Sequence, residues 1–399
     1  MNQKNQDEAQ QEKTRKFIET VDLLIATQEK YPADMGFHPM TDKFCEGAVL
    51  KTPWLADYLS FRNMRQNRNL SREQLLAWQV ETGIDASDRI DRSRGALLGL
   101  ALGDTLGVPL EFSRRDVRTV SGIEGGGPFK LKPGDWTDDT SMACCLAYSL
   151  ITCKGFDAAH QMARYCDWYQ YGAYSSTGEC FDIGNATRTA LETFLRTGEA
   201  MAGSAAASAA GNGSLMRLAP VPVFYFDSFE QAVHYAGLSS QTTHKAIEAV
   251  DACRYFAALI HGALHGVGKA QLLDGLYSPL PGYWQAHPLT PSIHAVAMGS
   301  YQHKTRDQIS SSGYVLHTLE AALWAFYHHD NFRDGVLAAV NLADDSDTVG
   351  AVYGQLAGAY YGETGLPIEW LLHMHAVQGF FHFAQDLQMA GQGRRGLSR

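Results

Sequence analysis

The sequence predicts an all-α fold, and three observations carry that prediction. From Ser93 onward the chain is rich in Ala and Gly and runs in long helical stretches such as THKAIEAVDACRYFAALIHGAL and YVLHTLEAALWAFYHH. Alternating apolar and polar runs, the mark of half-buried strands, are scarce. Glycine recurs every fourth residue in two places, at Gly95, Gly99, Gly103 and Gly107 and again at Gly350, Gly354, Gly358 and Gly362. Four residues is close to one helical turn, so each series draws a bare stripe down one helix face.

Taken in order, the first element is TRKFIETVDLLIATQEK, where Phe17, Val21, Leu24 and Ile25 share one face. A Pro- and Gly-punctuated loop follows, then two shorter amphipathic pieces, Trp54 to Phe61 and Leu70 to Val80, the latter opened by Ser71 and Gln74 at capping-box spacing. The organisation changes near residue 90. GALLGLALGDTLG is the first glycine-striped helix, and GAVYGQLAGAYYG near the far end is the second. Glycine inside a helix costs roughly 0.5 to 1 kcal/mol relative to alanine, so eight of them imply that close backbone approach repays the loss. Both helices are expected deep in the core, crossing close neighbours. If they cross each other, Asp104 and Glu111 from the first and the acids opening the second meet in one pocket. The AMAGSAAASAAGNGS segment from Ala200 is of low complexity and is expected to be loose.

Two knots of oxygen ligands, GDWTDDTS and NLADDSDTVG, lie roughly two hundred residues apart and each precedes an apolar helical stretch. Helix capping by Thr or Asp would explain one or two residues in each. It leaves Asp139, and one of Asp345 and Asp347, without a reason. Carboxylates this close repel one another unless a cation sits among them. Thr137, Asp138, Asp139, Asp345, Asp347 and Thr348 offer four carboxylates and two hydroxyls, an oxygen-only set that suits two octahedral Mg²⁺ or Mn²⁺ ions. The expected architecture is therefore a compact multi-helix bundle around a binuclear metal site. An EF-hand is excluded, since Asp345, Asp347 and Gly350 imitate its opening but Leu356 stands where its bidentate Glu belongs. His261 and His265 share a helix face without the Glu of a zincin, and they read as ordinary helix residues.

Composition narrows the class further. With 399 residues the chain can bury a large core, and a formal net charge of −10 argues against nucleic acid as a partner. No apolar run reaches the roughly 20 residues that span a bilayer, so no membrane role is expected. The N-terminal MNQKNQDEAQQEKTRK lacks an apolar signal region. Seven cysteines, Cys144 and Cys145 adjacent, do not make a disulfide framework, and a cytoplasmic setting fits. GIEGGGP is too isolated to stand as a phosphate-binding fingerprint.

Six motifs in sequence, GALLGLALGDTLGVPLEF, GDWTDDTS, CFDIGNATRTAL, GNGSLMRLAPV, TTHKAIEA and NLADDSDTVGAVYG, resemble those of the ADP-ribosylglycohydrolases, and within them the branch of the dinitrogenase reductase activating glycohydrolase. The resemblance covers roughly residues 90 to 365. It implies an all-α fold, a binuclear Mg²⁺ or Mn²⁺ centre on the same six ligands, and hydrolysis of the bond from ribose C1 to a protein side chain, in the arginine-directed branch the guanidinium. It further implies Glu111 and Asp182 as candidates for acid/base work, Asn185 at the ribose, and Gly211, Asn212, Gly213, Ser214 and His244 around the diphosphate. A helix cap remains the other reading of Asp182, and capping or packing that of His244. Ala343 departs from the pattern, in which glycine precedes the paired acids. Serine or O-acetyl-ADP-ribose linkages stay open.

Two domains are expected, an N-terminal helical extension over 1–90 and a catalytic domain over 91–390. The extension either packs on the catalytic domain or recognises a partner. A chain that removes ADP-ribose from a modified protein and carries such an arm is a candidate to bind the cognate ADP-ribosyltransferase as well, in the manner of an antitoxin or immunity protein.

Overall fold

The computed structural model describes residues 87–393, so the amphipathic pieces read before residue 81 lie outside the described residues. The principal helices are α1 (Asp88–Gly107), α2 (Asp138–Cys153), α3 (Ala158–Tyr171), α4 (Asn185–Thr197), α5 (Phe229–Gln241), α6 (Ile247–Leu264), α7 (Val315–His328), α8 (Phe332–Val340), α9 (Ser346–Tyr361) and α10 (Val377–Gly393). Among the described residues there is no β-sheet, only isolated bridges such as Glu111 with Asp344. None of their helices is long and apolar enough to cross a membrane.

The bundle is organised around α1 and α9. The Ser87 hydroxyl accepts the Ile90 N–H to start α1, and from Ser93 to Gly107 the helix is buried on every face, as is α9 from Ser346 to Ala359. A helix apolar all round belongs in the middle of a core. The two glycine stripes face each other in antiparallel register: β-carbons on Gly95, Gly99 and Gly103 would strike the carbonyl oxygens of Gly358, Gly354 and Gly350, and the reverse holds. Hydrogen in place of a side chain is thus what lets the backbones touch. Around this pair, α10 packs on α1 and α2, α7 and α8 pack on α9, and α5 packs on α6, which itself reaches α9.

The low-complexity segment expected to be loose is instead tied to distant parts of the chain. The Gly203 N–H donates to the Gln241 carbonyl (3.2 Å), the Lys245 N–H to Ser204 (3.1 Å) and the Val315 N–H to Ala210 (3.0 Å). Small side chains here let the backbone lie close to its neighbours. His261 and His265 stack with ring centroids 4.2 Å apart, and His261 Nε2 meets the Phe226 carbonyl at 2.9 Å, the packing role read from sequence.

Candidate metal and active site

Because α1 and α9 run antiparallel, the end of one lies beside the start of the other, and there a β-carbon on Gly107 would collide with the backbone of Asp347. Both acidic knots come to this end. Asp104, fully buried on α1, accepts the N–H groups of Thr137 (3.0 and 3.1 Å) and Thr140 (3.1 Å) and their hydroxyls at 3.0 and 2.6 Å. It therefore caps α2 from across the core. Thr137 and Asp345 occupy the N-cap positions of α2 and α9, and neither makes a cap bond with its own side chain. Capping does not account for the knots.

The first knot is drawn inward by Asp104. The Thr137 hydroxyl lies 3.1 Å from Asp139 Oδ2, while Asp139 Oδ1 is buried without a hydrogen-bond partner among the described residues. The second knot leaves a strained loop, with Ala343 and Asp344 both in the left-handed region at φ 61 and 65°. That is the position where glycine was expected, and the conformation gives the reason. The Ser346 N–H donates to Glu111 Oε2 at 3.0 Å, and the Asn212 amide holds Asp345 Oδ2 at 2.7 Å and Thr318 Oγ1 at 2.8 Å. The Thr348 N–H donates to Asp347 Oδ1 at 2.8 Å, and its side chain hydrogen-bonds Asp345. Glu111, Asp345 and Asp347 bring carboxylate oxygens within 4.8 Å of one another. Glu111, read from sequence for proton work, thus stands equally as a ligand.

Asp182 sits on a left-handed backbone at φ 57° and reaches hydrogen-bonding contact with Asp347. Burial first, and then the neighbouring carboxylates, raise Asp104 and Asp345 to about 7 and Asp182 to about 9. The same causes push Glu111, Asp138 and Asp139 well above the carboxylate range. So many acids forced towards protonation, with one buried oxygen unpartnered, fit a site whose missing charge is positive. Oxygen-only donors suit Mg²⁺ or Mn²⁺.

The remaining residues read from the sequence lie outside the carboxylate cluster. Asn185 is exposed at the start of α4. In the GNGS turn, Leu215 and Met216 donate back to the Asn212 carbonyl (2.8 and 3.1 Å), and among the described residues the N–H groups of Gly213 and Ser214 have no partner. The His244 ring crowds the space a β-carbon on Gly213 would take and lies in van der Waals reach of one on Gly211. Burial, with Arg217 nearby, lowers His244 to about 3, so the ring is neutral. The Ser214 hydroxyl points away, into the core at 2.8 Å from Ser240. Sequence reading passed over Arg217, which is fully buried and holds the Gly213 carbonyl at 2.8 Å and the Thr243 hydroxyl at 2.6 Å. It also passed over Asp104 as the holder of α2 and Asn212 as the holder of Asp345. An acid inside a glycine stripe and an arginine inside LMRLAPV were the available signals.

The geometry agrees with what comparison finds. Residues 85–396 match the ADP-ribosylglycohydrolase family model. The chain belongs to the ADP-ribosylglycohydrolase family. Family membership brings with it hydrolysis of an ADP-ribosyl bond as the class of activity. Proteins named ADP-ribosylarginine hydrolase Tri1 from Pseudomonas putida (strain GB-1) and Serratia proteamaculans (strain 568) are 47% and 41% identical to it, over 75% and 76% of this chain and 78% and 81% of theirs. The ADP-ribosyl-[dinitrogen reductase] glycohydrolase of Rhodospirillum rubrum is 28% identical over 70% of this chain and 89% of its own. A solved structure described as an ADP-ribosylglycohydrolase-related protein complex superposes with TM-score 0.67 at 41% identity, covering 76% of this chain and 99% of that one.

Proposed function

We propose that this chain hydrolyses the N-glycosidic bond between ribose C1 and the guanidinium of an ADP-ribosylarginine side chain in a modified protein. The observation that carries the reading is the meeting of Glu111, Asp345 and Asp347 within 4.8 Å at the end of the glycine seam, with Asp182 against Asp347. Relatives at 41–47% identity that bear the arginine hydrolase name support the linkage.

Thr137, Asp138, Asp139, Asp345, Asp347 and Thr348 are the side chains that would hold two Mg²⁺ or Mn²⁺ ions, with Glu111 within reach of the second knot. When bound, such ions supply charge neutralisation, a grip on the ribose diol and Lewis acidity. The protein's own groups do the rest. Gly213 and Ser214 offer backbone N–H groups to the diphosphate, as a glycine turn does where it comes close to an anion. Neutral His244 walls that turn, and Asn212 keeps Asp345 in position. Glu111 and Asp182 move protons, one at the attacking water and the other at the departing guanidine. Asn185 orients the ribose from the lip.

The direct test is release of ADP-ribose from an arginine-ADP-ribosylated protein, with Mg²⁺ or with a chelator, by wild type and Asp345→Ala. Metal-dependent release that the variant loses is expected; no release by wild type would move the assignment to another linkage.

A second reading concerns residues 1–90, nearly all of which precede the family match at 85. Here the extension binds and blocks an ADP-ribosyltransferase, while 91–390 form the catalytic domain. Removing residues 1–85 should then abolish transferase binding and spare hydrolysis, and binding that survives the deletion rules the arm out.

A further inference from the structure

The GIEGGGP motif found no role as a phosphate loop, and its structure gives it another. Gly125, Gly126 and Gly127 all have positive φ (67, 97 and 66°), and Gly126 and Leu131 exchange backbone hydrogen bonds of 2.7 and 2.9 Å, closing a tight hairpin. A β-carbon on Gly127 would strike the Val108 carbonyl, so the hairpin lies on the turn that leads into Glu111. Its tip is Phe129. The Phe129 ring meets Phe181 at 5.3 Å between centroids and Phe112 at 6.4 Å, edge to face. Phe112 directly follows Glu111, and Phe181 directly precedes Asp182. Phe112 is 67% exposed and held at φ 57°, a conformation that side chains other than glycine rarely adopt. Exposure of a large ring on a strained backbone, beside a buried acid, is costly in folding terms and points to a ligand.

We infer that Phe112, Phe129 and Phe181 form an aromatic wall on the leaving-group side of the site, which stacks on the planar guanidinium of the modified arginine. The inference rests on the arginine reading above. Charge complementarity selects this occupant: the wall joins Glu111 on one side to Asp182 on the other, and a cation with a flat π face satisfies acids and rings together.

The test compares two ligands that differ only on that side, an ADP-ribosylarginine peptide and free ADP-ribose. Phe112→Ala removes an exposed ring with little packing, and Phe129→Leu keeps apolar bulk while deleting the π face. Each should lower kcat/KM for the peptide about tenfold and leave ADP-ribose affinity within about twofold. Equal weakening of both ligands would assign the wall to the nucleotide, and no change in either would make it a bystander; both results overturn the inference. Peptide and ADP-ribose binding are also measured with chelator present, which leaves both acids in place. Should wild type fail to cleave the arginine linkage, the functional reading falls by itself. The wall is then judged on those affinities, standing if Phe129→Leu weakens only the peptide and falling otherwise.

Discussion

The two ends of one helix pair are chemically opposite. Along most of α1 and α9 the backbones touch with no side chains between them, at Gly95, Gly99 and Gly103 against Gly358, Gly354 and Gly350. At the end of the same seam, Asp104, Glu111, Asp345 and Asp347 crowd together, joined by Asp138, Asp139 and Asp182 from two other segments. The first region gains stability from close packing. The second opposes folding through like-charge repulsion and desolvation. The seam thus does not merely hold the fold together; it makes a repulsive site possible by fixing its carboxylates where they cannot move apart.

The sharpest break is at the seam. Gly99→Ala puts a methyl against the Gly354 carbonyl, which belongs to a helix and cannot turn aside. The expected loss is about 3 kcal/mol, as for overpacking with no room to relax. A denaturant midpoint equal to that of wild type would show that the helices separate more readily than described.

The acidic end should respond to protons and metal in opposite directions. Burial and mutual repulsion raise Asp104 and Asp345 to about 7 and Asp182 to about 9, above their unfolded values. Raised folded values mean stability present below pH 4 and lost as pH rises through 7 to 9, with chelator present. Metal binding needs the ionised forms, so added Mg²⁺ or Mn²⁺ should stabilise by about 2.7 kcal/mol at a hundredfold excess over the Kd at pH 8, and by less at the same concentration at pH 5. Thermal melts across pH, with and without metal, check both slopes. In Asp347→Asn the chelated protein should melt higher and the metal increment should disappear. An increment that persists would remove Asp347 from the ligands.

The finest adjustment lies in the loop feeding the second knot. Ala343→Gly relieves a left-handed backbone at φ 61° and should add about 0.5 to 1 kcal/mol, read from the denaturant midpoint, with activity retained. Lower stability would mean that the added freedom of the unfolded chain outweighs the relieved strain.

The sequence exposed the frame of this fold because that frame has a period. Glycine every fourth residue announced α1, α9 and their crossing, and the doubled acids announced the segments that meet at its end. Helices α3, α5, α8 and α10 have no glycine period, only ordinary amphipathic faces such as Phe229, Ala232, Val233 and Ala236 in α5 and Phe332, Val336, Ala339 and Val340 in α8, and sequence reading did not mark them. Partnerships across the core were also hidden. That Asp104 caps α2 and that Asn212 holds Asp345 depends on segments 33 and 133 residues apart meeting in space, and Arg217 ties the GNGS turn to Thr243, 26 residues further on. Nor did the motif show that the Ser214 hydroxyl turns into the core, to Ser240, and leaves only its backbone N–H on the turn.

The repetition that makes the seam also leaves it blind to its own register. Sliding α9 by one glycine step, four residues or about 6 Å, would bring a fresh set of glycines face to face along most of the length. Within the seam the two ends tell the settings apart, Gly362 against the Asp91 carboxylate and Gly107 against Asp347, and beside it Gln355 does so through its bonds to the Ala219 N–H and the Leu215 and Met216 carbonyls. Those contacts act as the stops of a ruler, and a slip of one rung would break them and carry the carboxylates out of reach of one another.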